Sequence, residues 1–160
     1  MKKLNLTTSY EYYESINDLS EQDLELMHKA IEANKKAYAP YSKFNVGCAL
    51  LLENGEVILG NNQENAAYPS GMCAERVAIW KASSDYPGVK VLKLAIAVFS
   101  ENQVVNKPVG PCGSCRQTLS EYEMNQKDSI EVLFMGQEGP VIKTESLLDL
   151  LPLAFDKSYL

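Results

Sequence analysis

The stretch FNVGCALLLENGEVILG, Phe44 to Gly60, decides how the chain is built. Phe44, Val46, Cys48, Leu50 and Leu52 alternate with Asn45, Gly47, Ala49, Leu51 and Glu53, the period of two that sends successive side chains to opposite faces of a strand. Asn54-Gly55 then supplies the pair that favours a type I′ hairpin turn, and Glu56 to Gly60 reads as the returning strand. Upstream, Ser20 is an N-cap with acidic Glu21 and Asp23 in the turn that follows. Leu24, Met27, Ile31 and Tyr38 form one helical stripe with Ala30 and Ala37 beside it, Asn34 interrupts it, and the helix stops before Pro40.

Downstream of the hairpin, a polar loop leads to helical character from Cys73 to about Ser83, and Val91 to Phe99 reads as a buried strand. Gly110-Pro111 breaks the chain before a short helix from about Cys112 to Met124. Ile130 to Met135 and Val141 to Thr144 are strands, and Glu145 to Leu151 is a last helical piece ending at Pro152. The order α-β-β-α-β-α-β-β predicts an α/β fold, a three-layer α/β/α sandwich around a mixed sheet of about five strands. Residues 1–20 read as an N-terminal extension and 21–160 as the domain. Both cysteine clusters open helices that follow strands, where an α/β sheet usually places its ligand site.

Cys112-Gly113-Ser114-Cys115 puts two thiols at i and i+3 near a helix start, so that both sulfurs can face one point. That spacing suits zinc, a thioredoxin-like redox pair, or two buried structural cysteines. Cys73, which also begins a helix, is a third candidate ligand and favours the metal. Three thiolates leave one tetrahedral position open, as a catalytic rather than a structural zinc requires. Glu75, two residues on, can lean over that position and move protons, although a lone Glu in a first helical turn also serves simply to offset the macrodipole. Zinc at +2 with three thiolates sums to −1, which weakens its power to acidify water. Arg76, the next residue, can donate to the sulfurs and withdraw charge; the other reading is a solvent-exposed arginine.

The chain's 160 residues are enough for one domain with a real core. No run approaches the roughly 18 apolar residues of a membrane span, and the first twenty residues lack the apolar stretch of a secretory signal. The cytoplasm is therefore the expected compartment, where four cysteines point to metal, catalysis or core filling and not to disulfides. A net charge of −6 and a pI near 4.9 argue against a polynucleotide surface, because such binding rests largely on Lys and Arg neutralising phosphates. A small-molecule substrate is expected, with no nucleic-acid and no membrane partner.

Once Cys73-Ala74-Glu75-Arg76 is paired with Pro111-Cys112-Gly113-Ser114-Cys115-Arg116-Gln117, the sequence resembles the short, homotetrameric class of cytidine deaminases. The likeness continues through AYAPYSKFNVGCALL (Ala37–Leu51), ENAAYPSGMCAER (Glu64–Arg76) and LLPLAF (Leu150–Phe155). It implies that Cys73, Cys112 and Cys115 bind zinc, and that Glu75 takes a proton from water at the metal and returns protons to cytosine N3 and the departing amine. It implies too that Asn62 and Glu64, from an Asn-x-Glu-Asn motif at 62–65, hold the sugar hydroxyls, that Phe44 packs on the base, and that the Ala74 N–H meets the base carbonyl. Tyr68 and Phe155 are similar to residues that approach a neighbouring subunit's pocket, so a homotetramer would complete each site. The implied reaction is hydrolysis of cytidine and 2′-deoxycytidine to the uridines and ammonia, within pyrimidine salvage.

The alternative is a related zinc deaminase for another cytosine-containing molecule, such as an aminonucleoside antibiotic; that class shares the cysteine core but lacks the full sugar motif. Deaminases of polynucleotides, free bases and deoxycytidylate usually begin with His where this chain has Cys73. Asn61, Gln63, Asn45 and Cys48 depart from the family pattern without removing a catalytic group, and Leu153 replaces a usual small residue before Ala154-Phe155. Cys48 reads as a core filler and His28 as a helix-face residue. A non-enzymatic zinc module would need a fourth protein ligand that no cysteine or histidine is well placed to supply.

Overall fold

The computed structural model describes residues 1–160 as β1 (Glu11–Tyr13), α1 (Glu21–Asn34), β2 (Phe44–Leu52), β3 (Val57–Asn61), α2 (Ala74–Asp85), β4 (Val91–Ser100), α3 (Gly113–Gln126), β5 (Glu131–Met135) and β6 (Val141–Thr144), with short 3₁₀ turns between. The sheet runs β1-β6-β5-β4-β2-β3. Only β4 and β5 are parallel, so the sheet is mixed as expected, with six strands where about five were read. The extra strand is β1, whose Glu11 to Tyr13 pair with Lys143 to Val141. Three residues are too few for a periodic signal, and what recruits them is the edge of β6, whose backbone groups would otherwise stay unpaired.

The sheet is buried on both faces. Leu26, Met27 and Ala30 of α1 pack on Ala49, Ala95, Leu133 and Val141, while Ile79 of α2 and Leu119 of α3 lie on the opposite face with Cys48, Leu50, Leu94, Ile96 and Val132. Cys48 is fully buried there, the filler its alternation pattern indicates. No helix is long and apolar enough to cross a membrane.

Two local readings change. The hairpin loop is not a two-residue type I′ turn, because Gly55 alone has positive φ (85°). Leu52 O accepts from Gly55 N at 3.0 Å and Leu52 N donates to Glu56 O at 2.9 Å, closing a three-residue loop. Glu53 is drawn out of the ladder because its N–H donates to Lys90 O at 2.9 Å and its carboxylate accepts from Lys90 N at 3.1 Å. The buried stripe of α1 is also rotated from the expected one: it is Asp23, Leu26, Met27, Ala30, Ala33 and Asn34, with Leu24 and Ile31 at its margin. Tyr38 lies past the helix end, where its backbone exchanges hydrogen bonds with Asn62 and Glu64.

Asp23 can sit on the buried face because cations meet it there. Its two oxygens accept from Lys93 of β4 at 2.6 Å and Lys143 of β6 at 3.0 Å, and Glu131 of β5 closes the group, 2.8 Å from Lys143. Burial works to raise the Asp23 pKa, but the two lysines outweigh it and hold the carboxyl below its ordinary value. Asp23→Ala leaves two half-buried ammonium groups sharing one carboxylate, and should lower stability by about 3 to 5 kcal/mol. The lowered pKa sets the sign: the contribution is present above the unfolded carboxylate pKa of about 3.9 and disappears as pH falls through the folded value. Denaturation of wild type and variant at pH 7 and pH 3 checks both points. A gap that fails to narrow at the lower pH would show that the charge is not what stabilises.

Candidate active site

β3 and β4 both run antiparallel to β2 and so point the same way. α2 follows β3 and α3 follows β4, so both helices open at the carboxyl end of the sheet. Gly60 of β3 lets α2 lie close, since a Cβ there would meet Ala74 O at 2.3 Å. Cys73 and Cys112 stand at the N-cap positions of α2 and α3, and neither uses its side chain as a cap. Cys115 lies one turn into α3. Their three sulfurs all lie within 4.8 Å of one another.

This donor set fits zinc. A tetrahedral zinc with Zn–S about 2.3 Å spaces its sulfurs about 3.8 Å apart, so the thiols need only small shifts to bind. The hydrogen bond from the Cys115 thiol, ahead of contacts with Arg76, pulls Cys73 down to about 5 against the cost of its burial, and the same pairing pushes Cys115 up. The cluster already favours a thiolate before a metal adds its charge. Cys48 lies in the core and His28 on the exposed side of α1, so no fourth cysteine or histidine joins the group. A zinc held by these three thiols would keep one tetrahedral position for water.

A cavity of about 630 Å³ opens above the sulfurs, large enough for a small ligand. Cys73, Glu75, Arg76 and Cys112 line it together with Phe44, Asn62, Glu64 and Tyr68. Glu75 is 5% exposed, and burial, with the Cys73 charge adding to it, raises its pKa although nearby hydrogen bonds partly oppose this. Arg76 Nη2 donates to Cys73 Sγ at 3.3 Å. Ala74 is fully buried and contributes no side chain to the cavity wall; as the first residue of α2 its N–H has no partner inside the helix.

Asn62 Oδ1 accepts from Val46 N at 2.7 Å and its Nδ2 donates to Phe44 O at 2.9 Å, so this side chain also fixes the start of β2. Glu64 accepts from the N–H groups of Tyr41 at 2.9 Å and Ser42 at 3.2 Å, and from the Ser42 hydroxyl. Burial alone would raise Glu64, but these donors outweigh it and hold the carboxyl below its usual range. Tyr41 and Ser42 were not singled out from the sequence. Tyr41 packs its ring edge-on to Tyr68, 6.4 Å between centroids; the signal for both residues was the need of a partly buried Glu64 for donors. Phe155 is absent from this wall: it is 56% exposed and stacks on Tyr159.

Residues 20–127 match the family model of the cytidine and deoxycytidylate deaminase zinc-binding region, a span that holds Cys73, Cys112, Cys115 and Glu75. The chain belongs to this deaminase family. It is 42% identical over 132 residues to the cytidine deaminase of Sporosarcina psychrophila, covering 82% of this chain and 90% of that one. It is 31% identical to the blasticidin-S deaminase of Bacillus cereus, over 88% of this chain and 97% of that one. The crystal structure of the cytidine deaminase from Burkholderia pseudomallei superposes with a TM-score of 0.72 at 38% identity, over 86% of this chain and all of that one. Membership of a zinc deaminase family accounts for three thiols and a buried carboxyl at one helix pair, and it removes the redox-pair reading of Cys112 and Cys115.

Proposed function

We propose that this protein is a zinc-dependent hydrolase that converts cytidine and 2′-deoxycytidine to uridine and 2′-deoxyuridine with release of ammonia. The observation that carries the reading is the placement of Glu75, buried beside three convergent thiols on the wall of a cavity that Phe44, Asn62 and Glu64 also line. Cys73, Cys112 and Cys115 hold the zinc. When bound, zinc supplies Lewis acidity that lowers the pKa of water into the neutral range. Glu75 takes one proton from the attacking water and passes it to cytosine N3, where it stays, then takes the second from the hydroxyl left on C4 and delivers it to the departing amine. Burial favours this role, because a carboxyl in a desolvated site accepts a proton more readily than one in water.

Phe44 packs against the base, and the unpaired N–H of Ala74 meets its carbonyl oxygen. Asn62 and Glu64 hold the sugar hydroxyls; the negative Glu64 also suits a neutral nucleoside. Tyr68 and Phe155 approach a neighbouring subunit's cavity in a homotetramer. The deaminase domain comprises residues 21–160 and residues 1–20 are an extension to it. The setting is cytoplasmic pyrimidine salvage, with neither nucleic acid nor membrane as partner.

Arg76 withdraws charge from Cys73 through its 3.3 Å contact, which restores acidity to a centre that three thiolates would otherwise leave electron-rich. Arg76→Gln is therefore expected to lower kcat by roughly tenfold while zinc stays near one per chain. Metal analysis beside steady-state rates checks this, and an unchanged kcat would sink the role.

The likeness to blasticidin-S deaminase raises a second reading, an aminonucleoside antibiotic as substrate; the Asn62 and Glu64 sugar contacts favour the simple nucleosides. The deciding assay follows ammonia release by the zinc-loaded protein from cytidine, deoxycytidine, cytosine, CMP and blasticidin S, with and without a chelator. Release from both nucleosides that the chelator stops is the expected result. No release from either nucleoside would overturn the proposal, and release from the antibiotic alone would replace it with the second reading.

A further inference from the structure

Glu123, in the last turn of α3, is 4% exposed and has no cation against it. Its carboxylate accepts instead from Ile130 N at 2.7 Å, Leu147 N at 2.9 Å, Leu148 N at 3.3 Å and Ser146 Oγ at 2.5 Å. A buried carboxylate is costly unless its oxygens are filled, and here three of the four donors come from one short segment after β6. That segment touches α3 again nearer the helix start, where Arg116 Nη1 donates to Leu150 O at 2.9 Å. It touches a third time where Gln117 Nε2 donates to Phe155 O at 2.9 Å. The segment thus runs back along α3, from the helix's last turn toward the turn that carries Cys112 and Cys115. Between the second and third anchors, Leu153 takes φ 60°, a left-handed conformation that is unfavourable for a residue with a side chain. A bend of that kind persists only when both sides are held.

We infer that Glu123 and Gln117 are positioning residues for Phe155: through the 146–155 segment they register this aromatic ring against α3, the helix that also carries two of the three metal thiols. The inference rests on the reading that Phe155 completes a neighbouring site. Phe155 is 56% exposed even with its ring stacked on Tyr159, lies off the cavity of its own chain and is held to α3 through its backbone, which leaves ring surface open to another molecule.

The test is a double-mutant cycle in the full-length, zinc-loaded protein, reading KM and kcat for cytidine together with zinc content. Phe155→Ala should raise KM by about tenfold with kcat changed less than about twofold, the pattern of a lost binding contact. Glu123→Gln puts an amide NH₂ against backbone donors, and Gln117→Ala removes an exposed side chain whose loss does not threaten folding. Each should raise KM about three- to tenfold with zinc retained, and neither should raise it further in the Phe155→Ala background. Full additivity in that background, or no KM change from either substitution, overturns the inference. Should Glu123→Gln fail to fold, the Gln117→Ala cycle decides alone. An unchanged KM in Phe155→Ala would instead remove the reading beneath it, and no activity in the unaltered protein would remove the proposed function itself.

Discussion

Glu75→Gln is expected to lower ammonia release from cytidine by about 10³-fold or more while one zinc per chain is retained. General acid–base groups contribute about 10²- to 10⁴-fold, and Glu75 is proposed to move protons at more than one step, which puts the loss toward the upper end. Gln keeps the shape of the side chain in a site where Glu75 is 5% exposed, so a packing defect does not confuse the result. Glu75→Ala should be equally inactive, with some added loss of stability from the space it leaves. Zinc should stay in both, because the convergent donors are the sulfurs of Cys73, Cys112 and Cys115. Metal analysis after gel filtration, beside single-turnover rates, separates the outcomes. A variant that has lost both zinc and activity would make Glu75 a ligand and not a proton carrier.

The second large effect is that of Cys115→Ala, which should reduce bound zinc far below one per chain and activity by more than about 10³-fold. Thiolate ligation of structural zinc is worth about 10 to 16 kcal/mol in total, so removing one of three sulfurs weakens retention by orders of magnitude. Cys115 is fully buried, and no neighbouring cysteine or histidine can take its place. Cys48→Ala is the control. Its sulfur sits in the core among Leu50, Ile96 and Ile79, and its loss should cost stability but leave zinc and turnover near wild type. Chelation of the unaltered protein should stop the reaction, with recovery on added zinc and none on magnesium, which thiolates bind poorly. Full zinc occupancy in Cys115→Ala, or equal metal loss in Cys48→Ala, would refute the three-thiol centre.

Much of this protein can be read where the signal is local. The alternation through Phe44–Leu52 marks β2, the strand between β3 and β4, because a period of two shows in nine residues. Ser20 marks the start of α1 because a hydroxyl there accepts the orphan N–H of Asp23, at 3.2 Å in the fold. Cys112 and Cys115 are legible as a pair because one helical turn brings i and i+3 together. The rotated face of α1 was not legible, since its buried positions include Asp23 and Asn34, which a polarity pattern assigns to solvent. Asp23 goes inside only because Lys93 and Lys143, distant in sequence, arrive on the strands beneath it. The three-residue strand β1 escaped for the same reason: its partners are on β6, and nothing in Glu11–Tyr13 alone distinguishes it from a loose arm.

The sequence by itself determined the three helices and the strands β2 to β6, the thiol and carboxyl groups and their order along the chain, since helical period, strand alternation and cap chemistry act over a few positions. The tertiary structure alone decided that Cys73 meets Cys112 and Cys115, because two crossovers from like-directed strands must bring two helix starts to one end of the sheet. It also decided that Arg76 spends a hydrogen bond on Cys73 and that Glu123 holds the tail carrying Phe155. A buried charge takes whichever partners the fold delivers to it, and those partners are set by packing across the whole chain, not by neighbours along it.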